Sequence, residues 1–102
     1  MHFEKLIMRI VVTANAEKSY FEIINKYSEN KAVLFSKKTI SILDIIKVNN
    51  HIGSRYKQTN YRKFLITEEV YLFYKIETQI IYVILFWDNK KNPLSLDIIL
   101  SS

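Results

Sequence analysis

Between residues 45 and 67 the chain carries five positive charges, Lys47, Arg55, Lys57, Arg62 and Lys63, and no acid. Tyr56 and Tyr61 stand among them. Cations concentrated on one segment can hold phosphates, and aromatic rings between them can stack bases, so the pattern is the footprint of a polyanionic or target-facing surface. The rival account is solvated charge guarding an edge strand, with the two tyrosines packing at a strand start. The acid-free gap favours the first. The total charge says less: it is +5, but lysine outnumbers arginine twelve to three, as AT-rich coding would produce.

A second stretch, "FWDNKKNP" (residues 86–93), ends the apolar run "IIYVILFW" and turns polar and basic within one residue. Trp87 reads as the residue that completes a core at the end of a central strand. Asp88 and Asn89 suit a turn, where their side chains bond nearby amides. Lys90 and Lys91 are then carried to a rim as candidate working cations, and Asn92-Pro93 closes the motif. Lys75 is a lone cation inside a strand and a further candidate for the same surface.

Other chemistries are bounded by composition. There is no cysteine, and His2 and His51 lie far apart without ligand spacing, so no metal site and no cofactor are expected. His51 follows a helix end, where it serves as a favourable charge or a spectator. Glu4 and Arg9 interrupt any secretory leader, and the longest apolar run falls far short of the roughly 20 residues that span a bilayer. The expected location is cytoplasmic, without a membrane partner. At 102 residues the chain makes one domain, burying roughly two thirds of its unfolded surface. Residues 1–7 are an optional extension if Met8 is the true start.

The elements that must position these residues follow from periodicity. Residues 6–13 are rich in β-branched residues and read as a strand. Thr13 caps a helix to about residue 27, with Ala16, Tyr20, Ile23, Ile24 and Tyr27 on one face. Ser28 caps a second over roughly 30–47, with Ala32, Phe35, Ile42, Leu43 and Ile46 inward. The short link makes them an antiparallel hairpin. "NNHIGS" ends the second helix, with Gly53 as the stop, and "RYKQTN" reads as a loop. Strands over 61–66, 70–77 and 80–88 are joined by turns too short for anything but antiparallel neighbours. Lys75 lies on one side of its strand and Val70, Leu72, Tyr74 and Ile76 on the other. Pro93 stops the last strand, and "LSLDIIL" is a short strand or a last helical turn. The expectation is an α+β domain: an N-terminal strand and a helix hairpin packed on one face of a mainly antiparallel four-stranded sheet. The other face is left uncovered, with the cations of residues 53–63 and those after Trp87 gathered around it.

The element order, "NNHIGS", "YRKFLI", "VYLFYKIE" and above all "ILFWDNKKNP" resemble the RelE/ParE superfamily of bacterial type II toxins, its ParE-like members in particular. The likeness runs from about Met8 to Pro93. It implies a toxin neutralised by a cognate antitoxin, and a basic toxin implies an acidic one. Members either poison DNA gyrase or cleave messenger RNA in the ribosome. The family's nucleases use basic residues on the sheet and a tyrosine near the C-terminus; here no tyrosine follows Tyr82. That weakens the nuclease reading unless Tyr61, Tyr56 or His51 serves, beside Lys57, Arg62 and Lys63. Growth arrest through gyrase or a similar target is the leading expectation, ribosome-dependent RNA cleavage the alternative. A non-toxic interaction or nucleic-acid-binding domain is the third.

Overall fold

The computed structural model describes residues 8–101. The proposed extension over 1–7, His2 within it, and the start of the expected 6–13 strand lie outside the described residues. Met8 is buried ahead of the first strand, β1 (Arg9–Val12). Thr13 then works twice. Its hydroxyl accepts from the Ala16 amide at 3.2 Å, capping α1 (Ala14–Ile24), and donates to the Val83 carbonyl at 2.9 Å, pinning the helix start to the sheet. Ser28 caps α2 (Glu29–Val48) through the Lys31 amide. Glu17 and Glu29 in the first turns, and Lys47 in the last turn of α2, complement the helix dipoles. α2 buries Phe35, Thr39, Ile42 and Ile46, a helical stripe facing the sheet. Each large apolar member contributes roughly 1.5–3 kcal/mol by leaving water.

The sheet has five strands rather than four. Besides β1 they are β2 (Ser54–Arg55), β3 (Arg62–Thr67), β4 (Val70–Glu77) and β5 (Ile80–Asp88), in the order β1-β5-β4-β3-β2. β1 runs parallel to β5, and the other pairings are antiparallel. The added strand is the two-residue β2, inside the segment expected to be loop. It pairs Ser54 with Lys63 and Arg55 with Arg62. The α+β class, with the helix hairpin on one face, is as expected.

β5 presents apolar side chains on both sides, and its pairing with β4 slips. Phe73 opposes Leu85 but Tyr74 opposes Val83, so Ile84 is the extra residue of a bulge. Ile81, Val83 and Phe86 therefore belong to the hairpin-side core, and Leu85 and Trp87 to the other side. β1 pairs with β5 only as far as Val83. Beyond it, the buried Ser19 hydroxyl of α1 accepts from the Phe86 amide at 3.0 Å, filling the place of a missing strand.

The second face is not bare, and this corrects the sequence reading. Residues 93–101 form a nine-residue helix, α3 (Pro93–Ser101), whose Leu96 and Leu100 pack on Phe73, Leu85 and Trp87. Pro93 starts this helix as well as ending the strand; proline has no amide to lose in a first turn. The Asn92 side chain accepts from the Leu94 amide at 3.0 Å. Among the described residues, no helix is long and apolar enough to cross a membrane.

Candidate functional site

Arg62 and Tyr74 sit opposite each other on β3 and β4, pointing toward the loop that leaves α2. The Tyr74 ring is fully buried. Its hydroxyl accepts from the Gly53 amide and donates to the Asn50 carbonyl, each at 2.9 Å. Burial pushes the phenol above its ordinary pKa, so it stays a donor. Arg62 Nη1 donates to the Gly53 carbonyl at 2.7 Å and to the His51 carbonyl at 3.3 Å. The asparagines of this exit were expected to take the left-handed conformation, with Gly53 following, but neither they nor Gly53 has a positive φ. Its reason is close approach: a Cβ there would stand 2.7 Å from the Tyr74 hydroxyl and 2.9 Å from the Lys63 carbonyl.

Beside this loop opens a cleft of about 460 Å³ lined by His51, Arg55, Tyr61, Arg62, Lys75 and Glu77, among others. Arg55 is braced by donating from Nε to the Thr59 carbonyl at 2.8 Å. Lys75 pairs with Glu77 at 3.0 Å, which raises the pKa of its ammonium, and it lies over the Tyr82 ring. The cleft thus joins three cations, one carboxylate, a phenol and an imidazole. A separate hollow of about 350 Å³ between α2 and the β3–β4 turn holds no such excess; its Lys31 pairs with Glu69 at 3.5 Å.

Arg55, Tyr61, Arg62 and Lys75 are the expected surface residues that meet in this cleft. Tyr56 and Lys57 are committed elsewhere. Asp97 of α3 accepts from the Tyr56 hydroxyl at 2.5 Å and from Lys57 Nζ at 2.6 Å. Lys57 first, then Tyr56, holds the Asp97 carboxyl below its usual range. Asp97 in turn raises the pKa values of both partners. Lys57 also stands at a positive φ of 48°. Lys63 lies on the α3 side, 4.8 Å above the Tyr71 ring.

Lys90 and Lys91 do not join the others. They follow Asp88, which pairs with Val70 beside the β3–β4 turn, whereas Lys75 pairs with Tyr82 five rungs away. At ~3.3 Å per residue this separates the two groups by roughly 16 Å along the strands. Lys91 instead approaches Glu22 at 3.9 Å and the Trp87 ring at 5.9 Å. The expected gathering of both groups around one bare face is therefore overturned. Trp87 is buried in the α3-side core. Asp88 accepts from the Lys90 amide, and Asn89 bonds the Glu68 and Glu69 carbonyls, so this loop is a braced turn.

No protein-family model matches the sequence, and no curated protein does. Solved structures do match. A YoeB/ParE toxin from Agrobacterium tumefaciens superposes with a TM-score of 0.64 at 18% identity, over 80% of this chain and 99% of that one. A chain of the chromosomal ParDE TA system from P. aeruginosa gives 0.62 at 12%, over 82% and 98%. YoeB from Staphylococcus aureus, solved as a dimer, gives 0.57 at 18%, over 76% and 92%. The chain has the RelE/ParE toxin fold.

Within this RelE/ParE fold, two residues of the site, Tyr74 and Glu77, carry no signal of a working role in the sequence, and a third, His51, carries only a weak one. Glu77 and Tyr74 read as a strand end and a core aromatic, and His51 as a helix-end charge or spectator that would matter only if it reached across to the cations. The pairing of β3 with β4 brings Tyr74 to the loop after α2 that carries His51, and Glu77 lies at the far end of β4, lining the same cleft. Among the described residues, no group of three or more His, Cys, Asp or Glu side chains could hold a metal ion.

Proposed function

We propose that this chain is the toxin of a bacterial toxin–antitoxin module, working in the cytoplasm and silenced by an acidic antitoxin. Its fold supports the toxin reading, and its cleft supports one activity over the other. A gyrase poison needs a shaped surface and no acid–base pair. In-line cleavage of RNA needs more: a group to take the 2′-hydroxyl proton, cations for the phosphorane, and an acid for the leaving oxygen. His51 lining the same cleft as Tyr61, Arg55, Arg62 and Lys75 is the observation that carries the nuclease reading. Imidazole is the side chain best suited to exchange protons near neutral pH. In this reading Arg55, Lys75 and the remaining Arg62 donors hold the phosphate, and His51 and Tyr61 move the protons.

One observation favours inhibition of DNA gyrase as the second reading. α3 closes a sheet face, and Asp97 occupies Tyr56 and Lys57, which removes two groups from any phosphate grip. Induced expression followed by mapping of transcript ends separates the readings. Cuts within translated codons that vanish in His51→Ala support cleavage. An SOS response with intact messages supports gyrase, and healthy cells at high expression support neither.

A further inference from the structure

We infer that Tyr74 is a positioning residue for the cleft: its buried hydroxyl, threaded between Asn50 and Gly53, fixes the loop that presents His51. This rests on the cleft being the working site, as proposed above. The hydroxyl makes two hydrogen bonds to backbone groups on either side of His51, both at 2.9 Å. Arg62, its cross-strand neighbour, takes the His51 and Gly53 carbonyls from the other side. Four hydrogen bonds from two paired strand residues thus converge on residues 50–53. The absence of a side chain at Gly53 is what lets the phenol reach so far, because a Cβ would stand 2.9 Å from its ring carbon as well.

A packing role alone would be met equally well by phenylalanine. What the hydroxyl adds is a fixed position for the loop relative to Arg55, Lys75 and Tyr61. A proton-transferring group displaced by even 1 Å from its target loses much of its advantage, a loss on the order of a hundredfold in unfavourable cases. Tyr74→Phe keeps the ring and removes both bonds of the hydroxyl, leaving the Gly53 amide unpaired.

The test compares Tyr74→Phe with Ile42→Val, a truncation in the hairpin-side core that touches none of the loop's hydrogen bonds. NMR follows the Gly53 amide exchange and the His51 ring resonances, and cleavage of a ribosome-bound message is timed across pH. The expected result is faster Gly53 exchange, a moved His51 ring, and cleavage slowed at least about tenfold with an altered pH profile, in Tyr74→Phe alone. Unchanged Gly53 and His51 signals would overturn the clamp, whatever the cleavage rate. Moved signals with unchanged cleavage would overturn its positioning role. A wild-type protein that cuts nothing would overturn the RNA reading instead, and the clamp would then be judged on the resonances.

Discussion

The two faces of the sheet are closed by different means. On one, a helix hairpin lays a continuous stripe of large side chains on the strands, with Phe35, Ile42 and Ile46 meeting Ile66, Leu72 and Val83. On the other, one short helix brings two leucines to Phe73, Leu85 and Trp87 and is fastened by a carboxylate. The first closure is mainly hydrophobic, its ion pairs Lys31–Glu69 and Lys91–Glu22 lying at the exposed rim. The second is small and partly ionic, so it is the face expected to loosen first as conditions change. The cleft lies at the end of the strands nearest the α2 exit loop and depends on the first face for its shape.

The sharpest way to break this contrast is to truncate each core in turn. Phe35→Ala should cost about 3–5 kcal/mol and lower the global unfolding midpoint, read by urea denaturation. Leu100→Ala should cost about 2 kcal/mol, at the low end for buried leucine, because the short α3 can shift to fill the gap. Equal losses would mean that both faces belong to one cooperative core. Gly53→Ala comes next, at roughly 1–3 kcal/mol, from forcing a Cβ against the Tyr74 hydroxyl and the Lys63 carbonyl.

Acid sharpens the contrast further. Asp97 has a folded-state pKa below its ordinary value of 3.8. Its contribution is therefore complete above that ordinary value and is lost as pH falls through the lowered one. Trp87, the only tryptophan, should report α3 loosening in acid before far-UV dichroism shows the hairpin side melting. Asp97→Asn should loosen α3 at neutral pH and remove that acid step. Coincident fluorescence and dichroism transitions in the wild type would contradict the two-part picture. At the other end, Tyr56 and Lys57 have raised pKa values, so the latch weakens only as pH rises past their ordinary 10.0 and 10.5. The smallest effect is expected at Thr78, held at φ 56° in the tight β4–β5 turn. Thr78→Gly should stabilise by about 0.5–1 kcal/mol in the same urea assay, since a β-branched residue is strained there and glycine is not.

The fold was largely legible because its signals are local. Thr13 and Ser28 announced the helix starts, the α2 stripe repeats at helical spacing, and short turns fixed β3, β4 and β5 as antiparallel neighbours. α3 was hidden by its own composition: Leu94 and Ile98 are exposed while Leu96 and Leu100 are buried, so no face stands out. The β5 bulge erased the alternation that would have shown two covered faces. At the site, the cations were visible as a group, but their partners were not. Asp97 reaches Lys57 from the far end of the chain, and Tyr74 meets the loop that carries His51 only through strand register. Contacts of that kind leave no periodic trace.

The most direct test of the whole account is to give the purified chain to ribosomes translating a defined message and map the ends by primer extension. The account predicts cuts at codons in the decoding site, abolished by His51→Ala and by Arg62→Ala at protein levels where both variants remain folded. Intact messages under conditions where the same protein arrests growth would contradict it, and would return the cleft to an unassigned surface.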